Sequence, residues 1–324
     1  MKISVHGRVT LYDYEPTADD VAGEVLRGLA APDKALPCKL FYDARGSELF
    51  EQICALDEYY PTRTELGILQ EYGRQIAALI GPRVRLAELG SGSSTKTRLL
   101  LDRLADPAAY VPIDISRVQL LEAATALAAD YPDLPVLAVC ADYTQPFELP
   151  EPPTPAARTV AFFPGSTIGN LEPPDAVRFL RRVAKWCGRG GGLLLGVDLK
   201  KDRAILEPAY DDSRGVTAAF NLNLLERINR ELGADFQLDG FRHRAVYNED
   251  RGRIEMHLDS LRPQTVHLLG HDVHFAEGET IDTEHSYKYD VEEFERLAGR
   301  AGFEMVRVWT DPRRLFGVLY LTVA

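Results

Sequence analysis

The feature that most constrains the fold is an alternation of short apolar runs with longer amphipathic stretches, repeated between about residues 84 and 199. Short apolar runs bounded by turn residues are typical of buried strands, and the longer stretches have the period of helices. Parallel strands need a crossover of a dozen or more residues, usually a helix. The pattern therefore predicts an α/β doubly wound sheet with five parallel strands, at residues 84–89, 110–115, 134–143, 158–170 and 191–199. Ligands of such sheets bind beyond the carboxyl ends of the strands.

The alternation stops at the end of the fifth run and returns near the carboxyl terminus. Residues 200–286 are polar and mixed, with one long helical stretch followed by short alternating strands. A helix over 290–303 and two β-rich segments come next, and these segments are expected to pair as a hairpin at the sheet edge. The sequence thus predicts a Rossmann-like, seven-stranded sheet made of residues 62–199 and 287–324. An inserted α+β unit interrupts this sheet, and residues 1–61 precede it.

Charge and cysteine content restrict the partners and the compartment. The 324 residues carry 37 basic and 49 acidic side chains, a net charge of 37 − 49 = −12, without a Lys/Arg block that would track phosphates. Nucleic acid and anionic membranes are therefore poor partners. The four cysteines lie far apart, which favours a reducing compartment, and no apolar run approaches the ~18 residues of a membrane span. We expect a soluble, cytoplasmic and monomeric protein that acts on a small molecule.

A glycine-rich turn follows the first predicted strand and is compatible with three cofactor classes. A dinucleotide fold requires G-x-G-x-x-G, but Thr95 stands where the third glycine belongs. A P-loop requires glycine directly before its lysine, and Thr95 again replaces it before Lys96. An S-adenosylmethionine pocket needs only a tight glycine turn, which Gly90 and Gly92 supply, and an acid at the end of the second strand. A plain turn without a ligand is the remaining alternative.

Acidic residues at the ends of the next two strands discriminate among these classes. Asp114 ends the second predicted strand, where its carboxylate can accept both ribose hydroxyls of a nucleoside. Asp142 and Tyr143 end the third strand, where they can hold an adenine. Because ligands of a doubly wound sheet bind at the carboxyl ends of its strands, these residues are expected to lie at one site. The pattern favours S-adenosylmethionine over a nicotinamide or a nucleoside triphosphate.

Longer blocks of the chain resemble one known family. They comprise residues 41–47, 58–65, 88–92, 165–171, 209–212 and 215–221. These blocks are similar to the histidine Nα-methyltransferases of ergothioneine biosynthesis, and the likeness covers nearly the whole chain from about residue 33. The resemblance implies an S-adenosylmethionine-dependent enzyme that methylates the α-amine of L-histidine three times to give hercynine. It also implies a methyltransferase sheet and a substrate-binding lobe, made of residues 1–61 and 200–286, that closes over the amino acid.

The resemblance also assigns roles to individual residues. The cofactor contacts fall on Tyr42, Gly90, Lys96, Asp114, Asp142 and Tyr143. The substrate contacts fall on Tyr59, Asn170, Tyr210, Met256, Glu284 and Ser286. Among the latter, Asn170 and Tyr210 are expected to hold the α-carboxylate and the amine. The imidazole ring is expected to lie against Tyr59, Glu284 and Ser286.

These residue types suit methyl transfer from a sulfonium to an amine. The reaction needs a neutral amine lone pair aimed at the methyl carbon, so positioning and exclusion of water matter more than a strong base. Asn170 and a tyrosine hydroxyl can orient the amine, and Asn170 and Tyr42 are the candidate catalytic residues. Tyr42, Tyr59 and Phe41 are expected to face the growing cation, at about 0.5–2 kcal/mol each. A carboxylate at Glu284 that reads an imidazole N–H rejects apolar side chains.

Several of these residues, and the function itself, are also compatible with competing interpretations. Glu284 and Ser286 could form one polar face of an edge strand, Tyr59 could pack at a chain bend, and Asn170 could be a turn residue. Near them the chain departs from the family pattern at His285, Tyr287 and Tyr289. Methylation of another amino acid, nicotinamide-dependent oxidation and a catalytically silent cofactor-binding role are the alternative functions.

Two further groups of residues receive no role. His267, His271 and His274 do not fall on one helical face, so no metal site is predicted. Lys200 and Lys201 are expected to be solvated at the start of the insertion.

Overall fold

The computed structural model describes residues 1–15, 21–92 and 94–324. Within these residues the chain forms fifteen strands and nine α-helices. The strands are β1 (Lys2–His6), β2 (Val9–Asp13), β3 (Lys34–Ala35), β4 (Val84–Leu89), β5 (Ala109–Asp114), β6 (Val136–Cys140), β7 (Arg158–Phe163), β8 (Gly192–Asp198), β9 (Phe241–Asn248), β10 (Arg253–Ser260), β11 (Gln264–Leu268), β12 (His271–Phe275), β13 (Thr280–Tyr287), β14 (Phe303–Thr310) and β15 (Phe316–Val323). The helices are α1 (Val21–Ala30), α2 (Ala44–Cys54), α3 (Tyr60–Ile80), α4 (Thr95–Leu101), α5 (Arg117–Asp130), α6 (Pro173–Cys187), α7 (Arg203–Tyr210), α8 (Val216–Leu232) and α9 (Val291–Gly299).

The largest sheet has nine strands among the described residues, in the order β1-β2-β6-β5-β4-β7-β8-β15-β14. Strands β6, β5, β4, β7 and β8 run parallel to one another. Strand β15 lies antiparallel between β8 and β14. The predicted doubly wound α/β sheet is confirmed, with its five parallel strands and its terminal hairpin. The fourth strand is shorter than predicted, because Pro164 has no amide hydrogen and Gly165 has a φ of 82°.

The predicted count of seven strands is wrong, because two amino-terminal strands join the sheet. Strand β2 pairs in parallel with β6, and β1 pairs antiparallel with β2. Strand β2 thereby covers the edge that β6 would otherwise expose, and its Val9 and Leu11 are fully buried. The strands escaped prediction because they are short and carry charges. Residues 1–13 therefore belong with the large sheet and not with the lobe expected from residues 1–61 and 200–286.

The insertion and the amino-terminal strand β3 build a second, smaller sheet. Its four described strands lie in the order β3-β13-β10-β9, and helices α7 and α8 contact β9 and β10. A separate apolar cluster joins this sheet to helices α1 and α2 near the amino terminus. In the described part of the chain, no helix has the length and apolar character needed to cross a bilayer.

The insertion leaves and rejoins the large sheet at two points that lie side by side. It leaves the large sheet after β8 and returns to it after β13. Leu199 and Tyr289 form an isolated parallel bridge there. The Tyr289 amide donates to the Asp198 carbonyl, and the Lys200 amide donates to the Tyr289 carbonyl, both at 3.1 Å. Asp198 and Lys288 are thereby brought together at the carboxyl end of β8.

Candidate functional site

The glycine turn after β4 has the geometry expected of a ligand-facing loop. Gly90 and Gly92 have positive φ angles of 77° and 39°, which favour glycine. Among the described residues, apart from the chain neighbours, no atom lies within 4 Å of the position that a Cβ would take on either residue. The Gly90 amide donates to the Ile113 carbonyl at 2.9 Å, which ties the turn to β5. The turn therefore leaves open space in front of its backbone.

Two carboxylates stand at the same edge of the sheet. Asp114 ends β5, and its Oδ1 accepts from the Ser116 amide at 2.9 Å. Asp142 follows β6, and its Oδ1 accepts from the Thr144 amide at 2.7 Å. Burial raises the pKa of Asp114. Tyr143 packs edge-on against Phe163, with ring centroids 5.9 Å apart. The local hydrogen bonds hold both acids at the ends of their strands, as the sequence predicts.

The buried carboxylate of Glu88 holds the strand before the turn to the helix after it. The Thr97 hydroxyl donates to both oxygens of Glu88, at 2.6 and 2.7 Å, and the Tyr110 hydroxyl also donates to Glu88. Burial raises the pKa of Glu88 to about 7, although the hydrogen bonds from Thr97 and Tyr110 lower it. Because Thr97 lies in α4 and Glu88 in β4, the bonds between them fix the position of the helix relative to the strand on either side of the turn.

Lys96 connects the turn to the loop after β7. Its Nζ lies 2.6 Å from Oε2 of Glu65, a residue that is 1% exposed. The Gly165 amide donates to the same oxygen at 2.9 Å. Lys96 Nζ lies 3.6 Å from the position of a Cβ built on Gly165. The lysine predicted to contact the cofactor therefore lies beside Gly165, which lines a cavity between the two lobes.

That cavity collects all six residues predicted to bind the substrate, together with Tyr42. It encloses about 520 Å³ of empty space, counting the solvent at its mouth. Its lining consists of Tyr42, Phe50, Ile53, Tyr59, Gly165, Ser166, Thr167, Asn170, Ala209, Tyr210, Thr217, Phe220, Met256, Glu284 and Ser286. The residues come from both lobes, and the most distant of them are more than 240 positions apart in the sequence.

Aromatic rings form one side of the cavity. Tyr42 packs edge-on against Phe50 and Phe220, with centroids 5.7 and 6.0 Å apart. Tyr59 lies edge-on to Phe50 at 6.3 Å. The prediction for Phe41 is wrong: it is fully buried, is absent from the lining and stacks on Phe220 at 4.5 Å. Residues in α2 and α8 supply the missing rings, a placement that depends on tertiary packing.

Strand β13 supplies the polar side. Glu284 and Ser286 are two residues apart and so point to the same face of the strand. Met256 lies opposite Glu284 in the pairing of β10 with β13. Burial raises the pKa of Glu284 to about 7, against the lowering effect of Lys288 and His285. The carboxyl group is therefore placed to accept a hydrogen bond inside an enclosed site.

A buried ionic cluster lies behind Ser286. Lys288 is fully buried, and its Nζ lies 2.9 Å from Oδ2 of Asp198. Lys201 lies 2.6 Å from Oδ1 of the same carboxylate, and the Tyr60 hydroxyl donates to that oxygen at 2.8 Å. The expectation that Lys201 is solvated is wrong, since its side chain is 7% exposed. Burial lowers the pKa of Lys201 to about 8, although Asp198 raises it.

Sequence reasoning missed this cluster, although two signals were available. Lys288 continues the alternation of Glu284 and Ser286, so the period of two already places it on the same face. Asp198 ends the fifth predicted strand, in the same kind of position as Asp114.

Asn170 is held on the short 3-10 helix Thr167–Asn170 that follows β7. Glu172, just beyond it, accepts from the Tyr287 hydroxyl at 2.6 Å and lies 2.7 Å from His285 Nδ1. A Cβ on Gly169 would stand 2.6 Å from the Tyr287 carbonyl oxygen, so only glycine fits. His285 and Tyr287 thus bind the loop on the opposite face of β13 from the cavity.

His267, His271 and His274 lie in the hairpin formed by β11 and β12. His267 Nδ1 lies 2.8 Å from Asp272 Oδ1, and His274 Nδ1 lies 2.9 Å from Thr265 Oγ1. Across residues 1–15, 21–92 and 94–324, no three His, Cys, Asp or Glu residues cluster in a way that could hold a metal ion.

Comparisons with known proteins give a consistent result. A family model described as "Histidine-specific methyltransferase, SAM-dependent" matches residues 21–323. The chain is 46% identical to a histidine N-alpha-methyltransferase of Mycolicibacterium smegmatis, covering 93% of this chain and 96% of that one. It is 43% identical to a histidine N-alpha-methyltransferase of Mycobacterium tuberculosis, with 91% and 92% covered. Ergothioneine biosynthesis protein 1 of Neurospora crassa is 33% identical, over 86% of this chain and 32% of that protein.

Proposed function

Because the chain belongs to the family of histidine-specific, S-adenosylmethionine-dependent methyltransferases, we propose that it transfers methyl groups to the α-amine of L-histidine, three times, to give hercynine for ergothioneine biosynthesis. The chain is an enzyme, and its cofactor is S-adenosylmethionine. The family, enzyme class and cofactor predicted from the sequence are thereby confirmed. The observation that carries the choice of substrate is the cavity in which Glu284 and Met256 meet Asn170 and Tyr210.

We propose that the cofactor lies along the carboxyl edge of the large sheet. The open space before Gly90 and the carboxylates of Asp114 and Asp142 fit a nucleoside that carries no phosphate. Asp114 would accept the ribose hydroxyls, and Tyr143 would pack against the adenine beside Asp142. The further cofactor contacts would come from Lys96, which borders the cavity, and Tyr42, which lines it. When bound there, S-adenosylmethionine supplies the electrophilic methyl carbon.

The cavity residues would then hold the amino acid for an in-line displacement. Asn170 would fix the α-carboxylate, and the Tyr210 oxygen would accept from the amine. Together they would direct the neutral amine lone pair, while water takes the proton that the ammonium loses. Tyr42 and Tyr59 would face the nitrogen as it becomes a quaternary cation, at about 0.5–2 kcal/mol per ring. Glu284 would accept the imidazole N–H, with Ser286 at the other side of the ring. Asn170 and Tyr42 are thus the proposed catalytic residues.

We also propose a division of labour between the lobes. Residues 62–199 and 287–324, with the amino-terminal strands, would bind the cofactor, and the substrate-binding lobe would comprise residues 21–61 and 200–286. The net charge of −12 supports a small-molecule substrate rather than nucleic acid or a membrane surface. The protein would act as a monomer in the cytoplasm.

The test is a panel of amino acids, each incubated with the purified chain and S-adenosylmethionine and read by mass spectrometry. We expect histidine to gain three methyl groups and the other amino acids, tryptophan included, to be methylated far more slowly. Preferred methylation of tryptophan or another amino acid would contradict the proposal while leaving the enzyme class intact. A product that stops at one methyl group would contradict only the threefold transfer.

A further inference from the structure

The ammonium group of Lys288 is buried directly behind the substrate cavity. Its side chain is 0% exposed. Its Nζ donates to the Tyr210 hydroxyl oxygen at 2.7 Å and to Ser286 Oγ at 2.8 Å, and it lies 2.9 Å from Asp198 Oδ2. An ammonium has three N–H donors and no acceptor. All three donors are therefore used, two of them on hydroxyl groups that line the cavity.

These bonds fix the direction of the remaining hydrogen bonds. Because Lys288 can only donate, the oxygens of Tyr210 and Ser286 must both accept from it. The two oxygens lie 3.0 Å apart, so one of the two hydroxyls donates to the other. Among the described residues, neither hydroxyl has a hydrogen-bond partner other than Lys288 and its neighbour in this pair. One O–H hydrogen of the pair therefore has no acceptor within the cluster. Because both hydroxyls line the cavity, an acceptor can reach this hydrogen from the cavity.

We propose that Lys288 is a positioning residue for substrate selection: it makes the Tyr210–Ser286 pair a hydrogen-bond donor toward an acceptor atom of the substrate, the bare nitrogen of a neutral imidazole ring. The inference rests on the proposed function. Residues two apart on one strand face are separated by about 6.6 Å, which suits a ring hydrogen-bonded at both of its nitrogens. A neutral imidazole has one donor and one acceptor nitrogen. The Glu284 carboxylate accepts from the N–H nitrogen of the ring, and the hydroxyl pair donates to the bare nitrogen.

Lys201 provides a matched control within the same cluster. Its Nζ lies 2.6 Å from Asp198 and also contacts the Tyr60 hydroxyl at 2.8 Å, but neither of these bonds reaches Tyr210 or Ser286. Lys201→Met and Lys288→Met each leave Asp198 with one lysine, so the carboxylate stays paired in both variants. Only Lys288→Met removes the donor that fixes the direction of the hydrogen bonds of Tyr210 and Ser286.

The experiment measures kcat and KM for L-histidine and the inhibition constant of 3-(2-thienyl)-L-alanine, whose five-membered ring has no nitrogen. We expect Lys288→Met to lower kcat/KM for histidine about 5- to 150-fold, chiefly through KM, because an acceptor nitrogen loses its assured donor. The inhibition constant of thienylalanine should change less than about threefold, since that ring uses no donor. Lys201→Met should change both values by less than about threefold. Calorimetric binding of S-adenosylhomocysteine should be the same in all three proteins.

Equal losses for both ligands, or a Lys201→Met variant that matches Lys288→Met, would give Lys288 a general structural role and overturn the inference. Should Lys288→Met fail to fold, Lys288→Gln keeps an amide donor without the charge and should retain the histidine preference in part. In a Ser286→Ala background, Lys288→Met should add little further loss, and full additivity would also count against the inference. A wild type that leaves histidine unmethylated defeats the proposed function first. Methylation of histidine with an unchanged Lys288→Met variant defeats only the inference about Lys288.

Discussion

The proposed cofactor edge and the proposed substrate cavity are built in different ways. At the edge, Asp114 and Asp142 each accept from the backbone amide two residues further along the chain. In the cavity wall, Tyr210 bonds to Ser286 across 76 positions, and behind it Tyr60 bonds to Asp198 across 138. Local turns orient the acids of the first site on strands that the sheet brings together, whereas the second exists only when the two lobes have packed. The two sites should therefore respond differently to substitution.

The two sites also differ in how they carry charge. The acids of the cofactor edge are partly exposed, while the cluster of Asp198, Lys201 and Lys288 is buried. Removing one member of a buried ionic group leaves an uncompensated charge, which is strongly destabilising. We therefore expect removal of a charge behind the cavity to lower the free energy of unfolding. Removal of a charge at the sheet edge should instead weaken binding of the cofactor.

The largest effect is expected for Asp198→Ala. The substitution leaves Lys201 and Lys288 buried without their carboxylate, and it should lower the free energy of unfolding by about 3–5 kcal/mol. Urea denaturation followed by circular dichroism measures this loss. Asp114→Ala is the matched control at the other site and should unfold within about 0.5 kcal/mol of the wild type. Equal stability of the two variants would remove the contrast between the sites.

The next effect concerns recognition at Glu284. Glu284→Ala should leave an imidazole N–H unsatisfied and cost about 2–4 kcal/mol in kcat/KM for histidine, with a far smaller loss for tryptophan. Initial rates on both amino acids measure this difference, and cofactor affinity should barely change. Because burial raises the pKa of Glu284 to about 7, the preference for histidine should also weaken as the pH falls through 7. Glu284→Gln, which keeps one acceptor oxygen, should lose less than the alanine variant, and equal losses on both amino acids would indicate a structural role.

A smaller effect is expected at the cofactor edge. Asp114→Ala removes the acceptor proposed for the ribose hydroxyls and should weaken S-adenosylmethionine binding by about 1–3 kcal/mol. Calorimetry on the two proteins measures the change, and a parallel titration with NAD should show no binding to either. Unchanged affinity would mean that the ribose lies elsewhere, and tight binding of NAD would contradict the cofactor assignment at this edge.

The same contrast explains how much could be predicted from the sequence. Strand ends and glycine turns are local, so the five parallel strands, Gly90, Asp114 and Asp142 follow from spacing alone. The cavity residues came only from the family resemblance, because nothing near Tyr210 in the sequence points to Ser286. Lys201 was misjudged because a sequence shows the charge of a side chain but not its burial. Phe50 and Phe220 were missed because their place in the wall depends on how α2 and α8 pack.

The smallest effect should come from the outer face of β13, where His285 and Glu172 bind the Asn170 loop. Burial alone lowers the pKa of His285, but the carboxylates of Asp282, 3.8 Å from Nε2, and Glu172, 2.7 Å from Nδ1, raise it overall. Burial alone raises the pKa of Glu172, but hydrogen bonds from Tyr287 and His285, with Arg253 nearby, lower it overall. The histidine therefore stabilises the fold below its unfolded pKa of about 6.5, and this contribution is lost as the pH rises through its folded pKa. The glutamate contributes above about 4.3 and loses its effect on acidification.

The interaction between His285 and Glu172 should thus be strongest between about pH 4.5 and 6.5. His285→Asn removes the charge, and at pH 5.5 it should lower the free energy of unfolding by at most about 1 kcal/mol, because Glu172 is 44% exposed and solvent screens the pair. At pH 8.5 the variant and the wild type should differ less, because the contribution of the charged histidine declines as the pH rises through its folded pKa. Urea denaturation at the two pH values provides the measurement, with His271→Asn on the exposed hairpin as a control that should show no difference at either pH. A deficit of His285→Asn that is the same at pH 5.5 and 8.5 would mean that packing, and not charge, holds the loop that carries Asn170 against β13.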